Sequence, residues 1–538
     1  MPDHNGQYEL LPRSSRDLDS VPDEFKDKPL PRSRRSIFSV ARKIRRVCRV
    51  CRPLYIVVAL VLFLLWQITF NTSYMSPPPF EIPTDEKVFI AANIIDGELI
   101  DGAWGKSLLD LVELIGKDRV YVSIYGGPTS ALRNLDGKLP CGHSLVSEKE
   151  HPLDMDAIPR TKLPTGETRV KRIAYLAEVR NKALEPLDTL KTSFDKVLFI
   201  NDVFFDARDA ARLLWGTNVN DNGKSVYKAA CGTDFVQWWK FYDTFATRDA
   251  EGYSIGVPIF PWFAGEDAAI SRRDVLEGRG AVRVKSCWGG MTAFDARYLQ
   301  SNPENSSSRR YHGGLDGDIG VDIKSTRQVE PPTLPLRFRS EPEPFWDSSE
   351  CCLIYTDIMA LPDFSPASSP STSDPGATKD PWDTGIYMNP YVRVSYDAKT
   401  QSMLNLGKRF ERLFALPQAI VNHFAHMPVF NARRAEVEGQ IIKDKLWIPF
   451  ENATGHTERD DDHAEIYPSR MMGKREIIGE PLDRDYWATK GHYVDFNRTA
   501  TRGAYCGVRQ LLVMKEGKLK EGEGNWDNLL NEVPPVDL

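Results

Sequence analysis

Long apolar runs are scarce in this sequence of 538 residues. Only Leu54 to Phe70 is apolar and uncharged over a length that can cross a membrane. That scarcity, with a mean hydropathy of −0.39, excludes a multispan membrane protein. No self-similar period of twenty to fifty residues appears, so a solenoid is excluded, and collagen and coiled-coil patterns are absent as well. There is no Walker-type loop, nucleophile elbow, H-E-x-x-H, Ser/His/Asp order or zinc-ligand spacing to support the commonest hydrolase, P-loop or zinc chemistry. An overall basic excess is also missing. The 69 Lys/Arg face 75 Asp/Glu for a net charge of −6, which argues against nucleic acid as a principal partner. What remains is a chain 41% hydrophobic and 27% charged, enough to bury a large core, with length for several domains.

The net charge conceals an asymmetry. Residues 1–53 hold 13 Lys/Arg and 7 Asp/Glu, a net +6, which leaves −12 for everything after them. Nine Arg/Lys and no acid lie between Arg32 and Arg52, immediately before the seventeen uncharged residues LYIVVALVLFLLWQITF. At about 1.5 Å per residue that run gives roughly 25 Å of helix, enough for a thin bilayer. The positive-inside rule keeps the basic flank cytosolic and sends the rest of the chain to the lumen, as a single-pass type II signal anchor. A cleaved signal peptide would start nearer the N-terminus and end in a small-residue cleavage site, whereas here NTSYMSPPP follows. All four N-x-S/T sequons (Asn71, Asn305, Asn452, Asn497) fall on the lumenal side. So do six of the eight cysteines, whose pairing the sequence leaves open. Cys48 and Cys51 flank the anchor and are candidates for palmitoylation.

The expected organisation is a cytosolic tail (1–53), the anchor (54–70), a Pro/Ser-rich stem (71–86), an α/β catalytic domain (87–361), a low-complexity loop or linker (362–384) and a C-terminal extension (385–538), packed on the catalytic domain or forming a small second lobe, that becomes polar and partly mobile beyond about 455. From Lys87 strand and helix signals alternate. KVFIAANI, RVYVSIYGG, KVLFIND, YKAACGTDF and AVRVKSCWGG read as strands. GKSLLDLVELIGK, TSALRNLDGKL (with Thr129 as a possible cap), IAYLAEVRNKALEPL and DARDAARLLWG read as helices. Such alternation indicates a mostly parallel sheet covered on both faces. In the extension, MLNLGKRFERLFALPQAIVNHF is helix-like and strand signals are few.

In open α/β sheets ligands bind beyond the carboxyl ends of the strands, which singles out Lys196–Ile200 and the Asn201-Asp202 that follows it. Asp202 is placed to hold a divalent cation against a nucleotide diphosphate, or else Asp202 or Asp206 simply caps the next helix. Two D-x-D strings, Asp154–Asp156 and Asp316–Asp318, have no strand before them and read as solvated loop acids. One helix brings Glu178, Arg180 and Asn181 together, and a helix-borne arginine suits a phosphate. Trp288 with Gly289-Gly290 offers either an aromatic face for a sugar or a core tryptophan at a bulge. Glu350 leads a helix that Ser348 or Ser349 can cap, and its carboxylate suits the first turn of that helix.

Taken in order, SIYGGPTSALRNL, RIAYLAEVRNKALEPL, KVLFINDVFF, AACGTDF, YDTFATRD, SCWGGMTAFDA, FRS and SECCLIYTDI resemble the fungal capsule-associated and α-1,3-mannosyltransferase family, glycosyltransferase family 69, over about 87–360. The resemblance implies a Golgi type II membrane enzyme with a GT-A-like nucleotide-sugar fold. It implies retaining α-1,3 transfer of a hexose, mannose from GDP-mannose, to an oligosaccharide or polysaccharide, with a divalent cation such as Mn²⁺. It further implies Arg180, Asn181, Glu178, Asn201 and Asp234 at the donor; Tyr125, Trp288, Gly289 and Gly290 around the sugar or acceptor; Asp202 at the metal; and Glu350 as the carboxylate near the anomeric carbon. The string at the metal is Asn201-Asp202-Val203 and not D-x-D, and Gly126-Gly127-Pro128 resembles the capsule-associated branch. A Golgi accessory protein with a degenerate transferase fold is the alternative, and a glycan-binding lectin a third reading.

Overall fold

The computed structural model describes residues 53–71, 73–163, 167–259, 262–300, 332–361, 380–428, 431–449, 491–515 and 524–529. The chain falls into two units that divide between Gln67 and Ile68. The apolar run forms helix α1 (Pro53–Phe70), long and apolar enough to cross a membrane and with no part of its span buried.

The second unit is built on a ten-stranded sheet. Strands β1 (Val88–Asn93), β2 (Val120–Tyr125), β3 (Gly142–Val146) and β6 (Lys196–Ile200) lie parallel in the order β3-β2-β1-β6. A small hairpin, β4 (Arg160–Lys162) and β5 (Thr168–Val170), stands apart. Beyond β6 come β11 (Met291–Asp295), β7 (Ala229–Gln237), β13 (Ile386–Ser395), β10 (Val282–Ser286) and β9 (Arg248–Asp249), with β8 (Lys240–Phe241) paired to β7. Seven of the ten strands point the same way, and β8, β10 and β11 run against them. The sheet is therefore mostly parallel, as the alternation of elements implied.

Why the strands read as continuous apolar runs is visible in the packing. Along β1 and β6, Phe89, Ala91, Val197 and Phe199 face one core cluster with α5 (Arg172–Leu184) and α8 (Glu350–Ala360). The alternate residues Val88, Ile90, Ala92, Leu198 and Ile200 face a second cluster with α3 (Ala103–Ile115) and α6 (Ala207–Trp215). Successive side chains point to opposite faces and both faces are covered, so neither can be polar. Two shorter helices follow strand ends: α2 (Gly97–Asp101) after β1 and α4 (Thr129–Asp136) after β2. Thr129 is the first residue of α4; Pro128 occupies the cap position.

Three expectations about organisation are corrected. The expected stem is not a free spacer, because Tyr74 is buried and its hydroxyl donates to the carbonyls of Val275 (3.3 Å) and Arg279 (3.2 Å). The catalytic unit does not stop at 361. β13 lies inside the sheet, parallel to β7 and antiparallel to β10, so the chain returns after the low-complexity stretch to complete the core. Residues 362–379 of that stretch lie outside the described residues. The extension is also richer in strands than its sequence suggested. The long helix-like stretch divides into α9 (Ala398–Gly407) and α10 (Glu411–Phe424), while α7 (Ile270–Leu276) belongs to the core. Next come a hairpin of β14 (Ile441–Pro449) with β15 (Gly491–Thr499), the pairing of β12 (Asp347–Ser348) with β16 (Gly507–Val508), and that of β17 (Leu512–Met514) with β18 (Trp526–Asn528).

Disulfides Cys231–Cys287 and Cys352–Cys506 close these connections, and Cys141 and Cys351 remain buried thiols. Cys506 and Leu511 are fully buried.

Asp249 in β9 is 2% exposed, and burial pushes its carboxyl up to about 7 although the amides of Glu251 and Tyr253 donate to it. An unfolded aspartate titrates near about 3.9. Between those values the native state keeps a proton that the unfolded chain has released, so the contribution of Asp249 to stability is highest below about pH 4 and falls as pH rises to about 7. Asp249→Asn should remove this slope. Urea midpoints at pH 5 and pH 8 that differ equally in both proteins would contradict it.

Candidate active site

The ends of β1, β2, β3 and β6 are level, because Ala92 pairs with Ile200, Asn93 with Tyr125, and Tyr125 with Val146. Their following turns therefore open on one side of the sheet, where ligands bind in such folds. Ile95, Gly127, Glu148 and Lys149 line a depression of about 310 Å³ there. Tyr125 closes β2 and is buried, its hydroxyl donating to the His151 carbonyl (2.9 Å). Burial, then the Glu148 charge, pushes that phenol up to about 12.

Asp206 is the N-cap of α6, accepting from the amides of Arg208 (2.8 Å) and Asp209 (3.3 Å). Helix capping thus accounts for Asp206 and leaves Asp202 without that explanation. Asp202 is half-buried at the end of β6, and its carboxyl is raised first by burial and further by the Asp96 carboxylate, against the pull of Arg180. Asp96 caps α2 with its Oδ1, on the amides of Glu98 (2.9 Å) and Leu99 (3.0 Å). Asp96 is exposed and Asp202 half-buried, and the two carboxylates follow adjacent parallel strands. That environment favours a cation, with donor phosphates supplying the remaining ligands. Among the described residues no group of three or more His, Cys, Asp or Glu is placed to hold a metal ion.

Arg180 projects from α5. Its guanidinium lies 4.4 Å from the centre of the Trp288 ring, 5.5 Å from Phe199 and 5.8 Å from Phe338, an aromatic box that suits a delocalised cation. Its Nε donates to Glu350 Oε1 (3.0 Å) and its Nη1 to Asn201 Oδ1 (3.4 Å). Glu350 begins α8 behind Ser349, with 4% of its side chain exposed against 13% for Arg180. What carries Glu350 to this place is Lys171, just before α5. Its buried ammonium pairs with Asp347 (2.9 Å) and donates to the carbonyls of Glu341 (3.1 Å), Glu343 (2.8 Å) and Trp346 (3.0 Å). The chain leading into α8 is thereby pinned to the helix that bears Arg180.

The structure brings Arg180, Asn201, Glu350 and Trp288 into contact and sets Asp202 beside them. It assigns other residues differently. Asn181 spends both ends of its amide on the Phe338 backbone, donating to the carbonyl (2.9 Å) and accepting from the amide (2.8 Å), so it frames the aromatic box instead of facing a donor. Asp234 is 1% exposed; its Oδ2 accepts from the Tyr396 hydroxyl (2.9 Å) and its Oδ1 from the Asp243 amide (3.1 Å). Burial first, then the Asp243 charge, raises its carboxyl. Asp243 in turn accepts from the Trp288 amide (2.9 Å) and the Thr247 hydroxyl (3.0 Å), so the two acids brace the loop beneath the site.

Trp288 is buried with its ring packed against Arg180, and this removes it as an open platform for a sugar. Gly289 and Gly290 have φ of +56° and +67°. A Cβ on Gly289 would stand 2.1 Å from the Gly232 carbonyl oxygen, so close packing on β7 explains that glycine. Glu178 is half-buried on α5. Of the sequons, Asn497 is exposed, while Asn71 is buried with its Nδ2 donating to the Arg409 carbonyl (2.8 Å), which leaves no outlet for a glycan. Asn305, Asn452 and the Asp316–Asp318 string lie outside the described residues.

Two residues escaped the sequence reading. Asp96 stands three residues beyond β1, and the strand-end rule that found Asp202 applies to it once β1 and β6 are known to be neighbours. Tyr242, in the YDTFATRD string, is 48% exposed, its ring centre 4.5 Å from that of Tyr396 and tilted to it by 57°, within the fields of Asp234, Arg172 and Asp202. It is the exposed aromatic surface that Trp288 is not.

A family model described as Cryptococcal mannosyltransferase 1 matches residues 87–357, half of the chain. No curated protein matches. Among solved structures the chain is similar to "Mannosyltransferase PcManGT from Pyrobaculum calidifontis in complex with GDP-Man and Mn2+". The identity is 11% and the TM-score 0.27, covering 71% of this chain and 88% of that one. At that score the likeness carries no argument about this site.

Proposed function

The chain belongs to the cryptococcal mannosyltransferase 1 family, and on that premise we propose that it moves mannose from GDP-mannose to a glycan hydroxyl. In this reading the linkage is α-1,3, the configuration is retained, and the enzyme works in the Golgi lumen behind its signal anchor. The observation that carries the reading is the convergence of Asp202, Asp96 and Arg180 at the end of β6. A divalent cation such as Mn²⁺, held by Asp202 and Asp96, would supply charge to the departing diphosphate. Arg180 offers a second positive centre in a low-dielectric aromatic box, where it needs no reorganisation as charge develops. Glu350 positions Arg180. With its carboxylate so engaged, it is not the nucleophile, and the reading that fits is attack on the same face of the sugar as departure. Tyr242 gives the sugar or acceptor its aromatic surface.

The test is nucleoside diphosphate release by the full-length chain in detergent, with GDP-mannose and a set of UDP-sugars, each with Mn²⁺ or with chelator. GDP release that needs Mn²⁺ and a glycan acceptor is the expected result. Release from a UDP-sugar alone would overturn the donor, and no release from any donor would favour the accessory reading.

A further inference from the structure

Helix α10 (Glu411–Phe424) is amphipathic in the wrong sense for a globular protein. Its buried positions are polar, namely Glu411, Gln418 and Asn422. Its outward positions are apolar: Leu416 is 68% exposed, Ile420 46%, Val421 43% and Phe424 78%. The inversion is held by specific bonds. Glu411 pairs with the buried Arg393 (3.0 Å). Gln418 donates to the carbonyls of Ile255 (3.2 Å) and Trp262 (2.9 Å) and accepts from Arg272 (2.9 Å). Asn422 accepts from the Val257 amide (2.8 Å). Turning the helix to hide Phe424 would strip every one of these buried groups, so the apolar face is outward by construction.

What covers it is indicated by the residues just before the helix. Arg409 donates to the carbonyl of Ile68 (2.5 Å), and its own carbonyl accepts from Asn71 (2.8 Å). Ile68 and Asn71 bracket the end of α1 at Phe70, where the chain leaves the apolar span. The start of α10 therefore lies at that exit, and its 14 residues extend only about 21 Å. Composition fits a lipid surface. Between Ala398 and Phe424 the one acid is the buried Glu411, while Lys399 and Arg412 are exposed, Arg409 is half-buried and only Lys408 among the Lys/Arg is buried. An apolar stripe ending in an aromatic residue, with basic flanks and no exposed acid, is what lies in a headgroup layer.

We infer that α10 is a second, monotopic membrane contact that seats its Leu416–Phe424 face in the bilayer. The inference rests on the anchor reading of α1, and two separate labels keep them apart. In full-length protein carrying Cys48→Ser and Cys51→Ser, an environment-sensitive fluorophore is placed at Phe424→Cys. A second preparation carries it at Phe63→Cys, within α1. Both are reconstituted into vesicles of phosphatidylcholine with anionic phospholipid, and exposed to nitroxide-labelled lipid and to aqueous iodide. Quenching of the Phe424→Cys label by lipid and protection from iodide are expected, with loss of both when Leu416→Glu and Ile420→Glu are added. Quenching by iodide alone, or protection from both quenchers as under a second copy of the chain or a protein partner, overturns the inference. The Phe63→Cys label reports on the anchor independently, since its failure to be quenched by lipid would refute the anchor whatever α10 does.

Discussion

Arg180→Met should lower mannosyl transfer by about 10²-fold or more, the usual loss when a preorganised charge at a developing anion is removed. It should also destabilise the fold by about 3–5 kcal/mol, because Glu350, with 4% of its side chain exposed, is left as an unpaired buried charge. The double variant Arg180→Met with Glu350→Gln separates these effects. It should recover most of the stability, since both charges are gone, and none of the rate. Glu350→Gln alone keeps a neutral partner for Nε and should retain more activity than Arg180→Met, as a positioning residue would and a nucleophile would not. Initial rates with GDP-mannose and urea unfolding on all three variants check the scheme. Full activity in Arg180→Met would remove the guanidinium from the site.

Asp202→Ala should be equally damaging to transfer, by about 10²-fold or more, yet nearly harmless to the fold. Burial and Asp96 already disfavour its carboxylate, and Asp206 and not Asp202 caps α6, so no structural duty is lost. The variant should also lose its response to added Mn²⁺, measured as rate against metal concentration. Asp96→Asn is the milder companion, because asparagine caps α2 as well as aspartate does while halving the paired charge. Wild-type turnover and metal response in Asp202→Ala would place the donor elsewhere.

Much of this site was legible residue by residue, but the roles were not. Asp202 was singled out because a carboxylate at the end of an apolar strand is a local signal. Arg180 was singled out because Glu178, Arg180 and Asn181 stand together among the apolar residues of one helix. Trp288 stayed open between a sugar face and a core tryptophan, since an aromatic before two glycines looks the same from sequence whether it faces a sugar or the underside of a guanidinium. Asn181 likewise reads as a ligand-facing amide, until the Phe338 backbone is seen to take both of its ends. Glu350 and Arg180 are 170 residues apart, and no local pattern couples them.

The sequence alone determined the apolar span, the alternation of strands and helices, and the strand end that carries Asp202. Each depends on a period or a boundary within a few residues, which side-chain chemistry sets directly. Only the tertiary structure decided that β13 enters the sheet after the low-complexity stretch, and that Cys352 pairs with Cys506. The same holds for Glu350 serving Arg180, and for α10 turning its polar face inward. Those outcomes depend on which distant segments become neighbours, and neighbours are chosen by sheet order, register and the need of every buried charge for a partner.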